Sequence, residues 1–288
     1  MSRPASREPL EIVQCALDRA RDAGADAADA ILLQSENLAA RVRGDEIDFV
    51  KQARERILGI RALVRGPGGA RSAITSTSDL SAQAIERMAG EALALARATA
   101  EDPAAGLPEE ASAADWRGLD LGLGAAGDRG ISVEARIEDA RRAEAAARAT
   151  DARIANSEGS QAESDFAHVA YGNSLGFLGE YDTAFHSLFS EPIARDGGYM
   201  QRDYWMSVAH RLSELEDAAS LGRRAAERAL RRLGARRIAT CEVPVIFDAL
   251  TAPSLLRQLA ACISGYAIYR QSSFLAGRLG ERVASPLV

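Results

Sequence analysis

The sequence predicts an α+β fold in which an N-terminal two-layer α/β domain precedes a mixed, largely antiparallel β domain with helices. Two observations predict it. Short apolar segments separated by glycine-containing turns occupy residues 28–74 and again 154–209, as expected for antiparallel strands. Amphipathic helical periods flank both groups of strands, so helices can cover one face of each sheet.

Composition limits the class of protein. The chain has 288 residues, of which 47% are hydrophobic and 26% charged, enough for one large or two ordinary domains with proper cores. There is no run of eighteen apolar residues, and residues 1–8 lack the apolar centre of a signal peptide, so we expect a cytoplasmic protein with no membrane association. The net charge of −6 disfavours general binding to nucleic acid.

Cysteine usage argues against a disulfide framework. Cys15, Cys241 and Cys262 are odd in number and widely spaced, so they form neither a regular set of disulfides nor a Cys-x-x-Cys metal site. We expect reduced thiols.

The first predicted domain covers residues 1–105. A helix with apolar positions every three or four residues ends at Gly24. A meander follows, with extended segments at residues 30–33, 38–42, 47–50, 57–64 and 70–74. Ser81 can cap a second helix that continues to about residue 98. One helix before and one after a meander can share a face of the sheet, which predicts the two-layer unit.

A linker is predicted over residues 106–130, because prolines end the second helix and residues 118–130 are rich in glycine. The second domain, 131–288, begins with a helix over 132–149. Strands at 154–157, 166–171, 175–189 and 199–209 follow, with turns at 157–159 and 172–174. An arginine-rich helix at 217–233, a strand at 243–247 and a helix at 254–264 that ends at Gly265 complete the domain, which we expect to be incomplete.

The helix over 254–264 is informative for what it lacks. Its apolar side chains recur on one face, and Gln258 and Cys262 are its only candidate metal ligands. A catalytic zinc site needs three protein ligands and a general base, and no histidine follows His210. We therefore predict a packing helix, with no catalytic residue and no metal ligand in this chain.

Several short motifs follow one another along nearly the whole chain. They are Gly59-Ile-Arg61, Thr77-Ser-Asp-Leu80, Glu101-Asp-Pro103, Asn156-Ser-Glu-Gly159, Asn173-Ser174, Met200-Gln-Arg-Asp-Tyr204, Leu233-Gly-Ala-Arg236, Pro244-Val-Ile-Phe247 and Tyr269-Arg-Gln-Ser-Ser-Phe-Leu275. In this order they resemble the TldD/PmbA family, once called modulators of DNA gyrase and now regarded as metallopeptidases. We expect the family's largely β C-terminal part to be missing from this sequence.

The resemblance is to the PmbA-like, or TldE-like, branch. TldD-like chains carry a His-Glu-x-x-x-His zinc motif on the helix that corresponds to residues 255–265, and this chain does not. The resemblance implies a cytoplasmic heterodimer that encloses a proteolytic chamber for unfolded or short peptides. This chain would bind no cofactor, and a TldD-like partner would bring the zinc.

Five residues are candidate contacts with the chamber or the partner. Arg202 and Tyr204 belong to a dense polar and aromatic cluster on a predicted strand, where one face could meet an interface or a substrate. Arg270, Ser272 and Ser273 are candidates for lining the chamber only through the family resemblance.

An alternative function is a non-catalytic interaction protein that binds a protein or nucleic acid through the arginine-rich helix 217–237. Acidic residues lie close to these arginines, and cations late in a helix are favoured by its dipole. A solvated helix face is therefore the simpler interpretation.

A further alternative is an autonomous metalloenzyme that uses His168, His186 and His210. Two of them lie on predicted strands, where histidines commonly make structural hydrogen bonds. A nucleophilic pair of Cys262 with His210 would need an environment that stabilises a thiolate, which small apolar neighbours do not provide.

Overall fold

One antiparallel sheet organises the larger of two units, Met1–Ala235 and Arg236–Val288. This computed structural model describes residues 8–108, 119–124 and 126–287. The strands are β1 (Ala27–Arg43), β2 (Glu46–Gly66), β3 (Gly69–Thr77), β4 (Ile154–Asn173), β5 (Leu178–Asp196), β6 (Tyr199–Arg202) and β7 (Trp205–Ala209). Their order is β3-β2-β1-β4-β5-β6, and β7 also pairs with β5. The predicted α+β class with a largely antiparallel sheet is confirmed.

Four helices cover one face of this sheet: α1 (Pro9–Ala23), α2 (Ala82–Ala98), α3 (Val133–Ala149) and α4 (Ala218–Arg231). In β1, Leu32 packs with the core below α1 and α2, and Val42 packs with the core below α3 and α4. Because side chains alternate along a strand, Ile31 and Leu33 lie on the opposite face, where they are 46% and 39% exposed. We call this opposite side the open face.

The ends of the helices follow the predicted signals. Gly24 ends α1 with φ of 100°, a backbone conformation that glycine adopts without strain. The Ser81 hydroxyl accepts a hydrogen bond from the Ala84 N–H at the start of α2. Asp217 caps α4 in the same way. These local signals place all four helices within about two residues of the prediction.

The strands are longer than predicted. The five extended segments of residues 30–74 are three strands, because polar residues continue the strands instead of interrupting them. In β1, the Asn37 amide donates hydrogen bonds to Glu163 and Asp165 on β4, both at 2.7 Å. Such partners are distant in sequence, so the pattern of β1 alone did not reveal them.

The predicted turn at 157–159 is wrong, because these residues form a bulge inside β4. Gly159 has φ of 104°, and a Cβ there would lie 3.0 Å from the Val42 carbonyl oxygen. The buried Glu144 carboxylate of α3 accepts hydrogen bonds from the Gly44 N–H and from the hydroxyls of Ser157 and Ser160. The helix thereby fixes the bulge.

The predicted strand 199–209 is divided into β6 and β7 by residues 203–204.

The predicted linker, 106–130, includes residues 109–118 and 125, which lie outside the described residues. Beyond the linker the chain returns to the same sheet: β1 pairs with β4 from Asp29 opposite Asn173 to Val42 opposite Ser160. The division into domains 1–105 and 131–288 remains a prediction.

The smaller unit contains α5 (Ala252–Ile263) and α6 (Gly265–Tyr269). The predicted strand 243–247 is wrong: its residues have no strand partner within the described part of this unit, and Ile246 is 97% exposed. Gly265 does not end the helix with a left-handed turn; Ser264 ends α5, and its hydroxyl accepts a hydrogen bond from the Ala267 N–H to begin α6. Among the described helices of both units, none is long and apolar enough to cross a bilayer.

Candidate functional site

Helix α5 offers few groups that could bind a metal. Its residues include no histidine, aspartate or glutamate. The Gln258 amide nitrogen lies 3.5 Å from the Cys262 sulfur, so the two candidate metal ligands of α5 contact each other. Within residues 8–108, 119–124 and 126–287, no group of three or more His, Cys, Asp and Glu side chains is arranged to hold a metal ion.

Three of the predicted contact residues lie together after α6, and they make local contacts. The Ser272 hydroxyl donates to the Ala267 carbonyl at 3.2 Å, and the Ser273 hydroxyl donates to the Cys262 carbonyl at 2.6 Å. The exposed Arg270 guanidinium donates to the Tyr266 hydroxyl at 2.5 Å. The two serines therefore bind carbonyls near helix ends, while the exposed Arg270 guanidinium can also meet a partner.

The other two contact residues, Arg202 and Tyr204, belong to the larger unit. Arg202 ends β6, and its guanidinium lies 3.6 Å from carboxylate oxygens of both Glu158 and Glu191. Tyr204 stacks on Phe189 with ring centroids 5.5 Å apart. The Arg202 side chain is still 63% exposed, so it can also meet a partner.

Two arginines of α4, Arg224 and Arg228, are engaged within the chain. Arg224 and Arg228 lie over the Trp205 ring, with guanidinium carbons 4.9 and 5.4 Å from its centroid. Arg228 and Arg232 also approach the Asp203 carboxylate, at 3.5 and 3.7 Å. These contacts favour a structural role for this face of α4 over a nucleic-acid surface.

His168 and His210 each have their own hydrogen-bond partners. The two ring nitrogens of His168 lie 3.0 Å from an Asp182 oxygen and 3.2 Å from a Glu180 oxygen. The Nδ1 of His210 lies 2.6 Å from the Ala184 carbonyl oxygen. Neither ring is placed with another histidine to bind a metal.

His186 is fully buried between the two helical cores. Its Nδ1 lies 2.9 Å from the Ser164 hydroxyl, and its Nε2 lies 3.4 Å from an Asp128 carboxylate oxygen. Asp128 also accepts a hydrogen bond from the Leu212 N–H at 3.0 Å. Burial lowers the pKa of His186, and the neighbouring Asp128 carboxylate opposes that shift only in part. The neutral ring is therefore a structural group.

A groove of about 560 Å³ on the open face was not predicted from the sequence. Across its floor, Ile31 lies opposite Tyr171, and Val169 lies opposite Tyr181. Residues 119–124 form a wall beside β5, held by a hydrogen bond of 2.7 Å from the Ala184 N–H to the Leu123 carbonyl. The sequence signal for the groove lies in β1, where Ile31 and Leu33 make the open face of the strand apolar as well as its buried face.

An ion pair lies beside Tyr171, one of the residues that line the groove. Arg61 donates two hydrogen bonds to the Asp29 carboxylate, at 3.0 and 2.5 Å. The Tyr171 hydroxyl donates to the same carboxylate at 3.2 Å, and burial together with the Asp29 charge raises the pKa of this phenol. The network fixes the Tyr171 ring in the groove floor as a neutral group.

Comparisons with known proteins show which protein family the chain belongs to. Family models of PmbA/TldA metallopeptidases match in the family's order: domain 1 at residues 28–96, the central domain at 127–233 and the C-terminal domain at 240–288. Residues 240–288 therefore match the C-terminal domain, contrary to the prediction that this part is missing. The fold and these matches define a protein of a metallopeptidase family. The chain belongs to the PmbA/TldD family, and the curated relatives that it matches are PmbA proteins.

Curated relatives agree with this assignment. The chain is 35% identical over 274 residues to the metalloprotease PmbA of Escherichia coli O157:H7, a match that covers 95% of the chain and 59% of that protein. It is 34% identical over 277 residues to a PmbA homologue of Haemophilus influenzae, covering 96% of the chain and 60% of the homologue. The chain thus spans about 60% of the length of these relatives.

Solved structures share the fold. A Bacteroides thetaiotaomicron protein described as a modulator of DNA gyrase matches with a TM-score of 0.85 and 26% identity, over 98% of this chain and 63% of that one. TldE from Thermococcus kodakarensis matches with a TM-score of 0.79 over 95% of this chain and 60% of that one. At 18% identity, the second likeness shows the fold alone.

Proposed function

We propose that this chain is the PmbA/TldE-like, non-zinc subunit of a cytoplasmic TldD-type zinc metallopeptidase that cuts unfolded or short peptides. A TldD-like partner supplies the zinc ion, the nucleophilic water and the general base. This chain contributes walls and contact surface. Membership of the PmbA/TldD family supports the proposal. The chain spans about 60% of the length of its curated relatives, so the activity, the substrates and the partner are all part of the proposal.

The donor chemistry of α5 carries the proposal. A catalytic zinc ion takes three protein ligands and an activated water. Helix α5 lies within the match to the family's C-terminal domain, residues 240–288, and its only candidate ligands are Gln258 and Cys262, which contact each other. This donor set does not fit a catalytic zinc ion, so no catalytic step is assigned to this chain.

Co-expression with a TldD-like chain from the same source tests the proposal. We expect the two chains to purify together and to digest fluorescein-labelled casein in a chelator-sensitive way, whereas this chain alone does not digest it. Separate elution of the two chains, with the same activity of the partner in the presence and absence of this chain, would refute the proposal.

Charge reversal tests the predicted contact residues. Arg202→Glu and Arg270→Glu should each weaken co-purification, because both guanidinium groups are exposed. Arg87→Glu on α2, whose side chain is 70% exposed, is the matched control and should leave the complex intact. If all three variants bind the partner equally well, these arginines are not at the interface.

A further inference from the structure

We propose that two copies of this chain associate through the outer edge of β3, so that the sheet of one copy continues into the sheet of the other. The two β3 strands run antiparallel about a two-fold axis, and the α2 helices pack beside each other across the same axis. The contact lies in the larger unit, and it depends neither on the proposed peptidase role nor on a TldD-like partner.

Strand β3 is at one edge of the sheet, and its outer side is only partly covered. Ala70 exchanges two backbone hydrogen bonds with Asp102 on that side, at 3.1 and 2.9 Å. Because the backbone groups of an antiparallel strand alternate between its two sides, Ile74 and Ser76 direct theirs the same way as Ala70. Within the described residues, the outward N–H and C=O groups of Ile74 and Ser76 have no partner. They are open to another strand.

This edge lacks the features that usually prevent pairing between strands. Residues 72–78 include no charged residue and no proline, and all of them are β-branched or small. The pairing of β3 with β2 is regular, without a bulge that would twist the edge away. The Ile74 side chain is 69% exposed. A strand added at this edge would satisfy backbone groups and cover an apolar side chain.

The open backbone groups are complementary to themselves. When Ile74 lies opposite Ser76 of the second copy, each of the two residues donates to the other and accepts from it. The two-fold axis repeats this exchange and passes beside Thr75, which faces Thr75 of the second copy. Threonine pairs across antiparallel strands are favourable, and no like charges meet at the axis. The edge therefore fits a second copy of itself.

Helix α2 extends the contact. It packs on β2 and β3, and the Thr75 hydroxyl donates to the Met88 carbonyl at 3.2 Å. The axis beside Thr75 therefore also passes beside the middle of α2. Neighbouring strands are about 4.8 Å apart, so two helices that each lie above β2 and β3 of their own copy have axes about 10 Å apart. Helices pack at about this distance.

The flank of α2 that meets its copy is the one away from α1. The Glu86 carboxylate lies 3.9 Å from the Arg19 guanidinium of α1. Leu95 comes two and a half turns after Glu86, at about 3.6 residues per turn, so it lies on the opposite flank. Leu95 is 52% exposed. A second α2 would remove this apolar side chain from water.

Charge favours a second copy over an unrelated strand. Arg87 and Glu91 are one turn apart on α2, on either side of the position next to Met88 that marks the axis. In an antiparallel pair of α2 helices, Arg87 of each copy therefore lies near Glu91 of the other. The two side chains are 70% and 60% exposed, and their contact within one helix is long, at 3.7 Å. Both can reach across to the second copy.

Sedimentation velocity of the purified chain between about 1 and 300 μM at pH 7 tests the proposal. One strand pair and one helix pair form a small interface, so we expect a reversible dimer with a Kd on the order of 10 μM. A sedimentation coefficient that stays at the monomer value over this range would overturn the proposal.

Ile74→Pro tests the strand pairing. Proline lacks the outward N–H but removes no hydrogen bond to β2, because the Ile74 N–H points away from β2. We expect the Kd to rise about tenfold. Ile74→Val keeps the N–H and the branched side chain, so as the matched control it should change the Kd by less than about twofold. Circular dichroism and thermal melting verify folding. Unchanged self-association of folded Ile74→Pro would overturn the proposal.

A charge exchange on α2 tests the two-fold arrangement. Glu91→Arg places like charges across the axis and should raise the Kd about fivefold. Combining Glu91→Arg with Arg87→Glu exchanges the two charges, keeps the net charge of the chain and should restore the original Kd. If the double variant is weakened as much as the single one, the α2 helices do not meet and the arrangement is wrong.

Discussion

The two units contain similar amphipathic helices in different surroundings. In the larger unit, the apolar face of α1 is buried, with Val13 fully enclosed and Leu17 5% exposed. In the smaller unit, Leu256 and Ile263 on α5 are 62% and 59% exposed. The hydrophobic period predicts both helices equally well. It does not reveal whether the apolar face has a partner within the chain, which depends on residues far away in sequence.

The difference has an energetic consequence. Burial of apolar area is the main favourable contribution to folding, and a fully buried aliphatic side chain contributes about 1.5–3 kcal/mol. Leu275 is the one buried residue among the described residues of the smaller unit, at 7% exposure. The larger unit should therefore hold most of the chain's stability.

The largest expected effect comes from truncating a core leucine. Leu32→Ala on β1 removes a fully buried side chain and should lower the free energy of unfolding by about 2–5 kcal/mol, since it leaves a cavity below α1 and α2. Leu256→Ala on α5 is the matched control and should cost less than about 0.5 kcal/mol. Urea unfolding followed by circular dichroism measures both. Equal losses would show that α5 is covered in solution.

The buried carboxylate of α3 should give the next largest effect. Glu144→Ala removes the acceptor of the Gly44 N–H and the carboxylate that the buried Ser157 and Ser160 hydroxyls share, which leaves these hydroxyls only the Glu191 carbonyl and the Ser190 hydroxyl. We expect a loss of about 2–4 kcal/mol in the free energy of unfolding. Glu134→Ala, an exposed position on the same helix, is the control and should change stability little. A similar small change for both variants would contradict the structural role of Glu144.

Local signals account for what the sequence predicted well. The caps at Ser81, Ser132 and Asp217 and the glycine at position 24 lie next to the helices that they begin or end. Strand lengths depend on partners more than a hundred residues away, such as Asp165 for Asn37. The segment 243–247 has the composition of a strand but no partner in the described part of its unit.

The groove could not be predicted for the same reason. Its lining comes from β1, from residues 119–124, and from β4 and β5, which become neighbours only when the sheet forms. The predicted contact residues were chosen one at a time, and they fall in two units: Arg202 and Tyr204 in the larger, and Arg270, Ser272 and Ser273 in the smaller. The lack of histidine, aspartate and glutamate on α5 depends only on residue identity, so the sequence alone shows it.

A smaller effect is expected from acid. The folded-state pKa of His186 is lowered by burial, so below the ordinary histidine pKa of about 6.5 the unfolded chain binds a proton that the folded chain does not. Stability contributed by His186 is therefore complete above about pH 6.5 and is lost as the pH falls, with a slope of at most about 1.4 kcal/mol per pH unit. Urea unfolding between pH 7 and 5 measures it. His186→Leu should flatten this slope and His210→Gln should retain it; the reverse pattern would assign the proton to His210.

The smallest expected effect tests whether the basic face of α4 belongs to the packed unit or to solvent. Arg228→Ala removes a guanidinium that lies over Trp205 and beside Asp203, and its side chain is 14% exposed. We expect a loss of about 0.5–2 kcal/mol in the free energy of unfolding, because the cation–π contact and the partly buried ion pair disappear together. Arg223→Ala, exposed on the same helix, is the matched control and should change stability by less than about 0.5 kcal/mol. If the two variants were equally stable and only Arg228→Ala reduced binding to a duplex DNA in a salt-dependent way, the face would be a nucleic-acid surface after all.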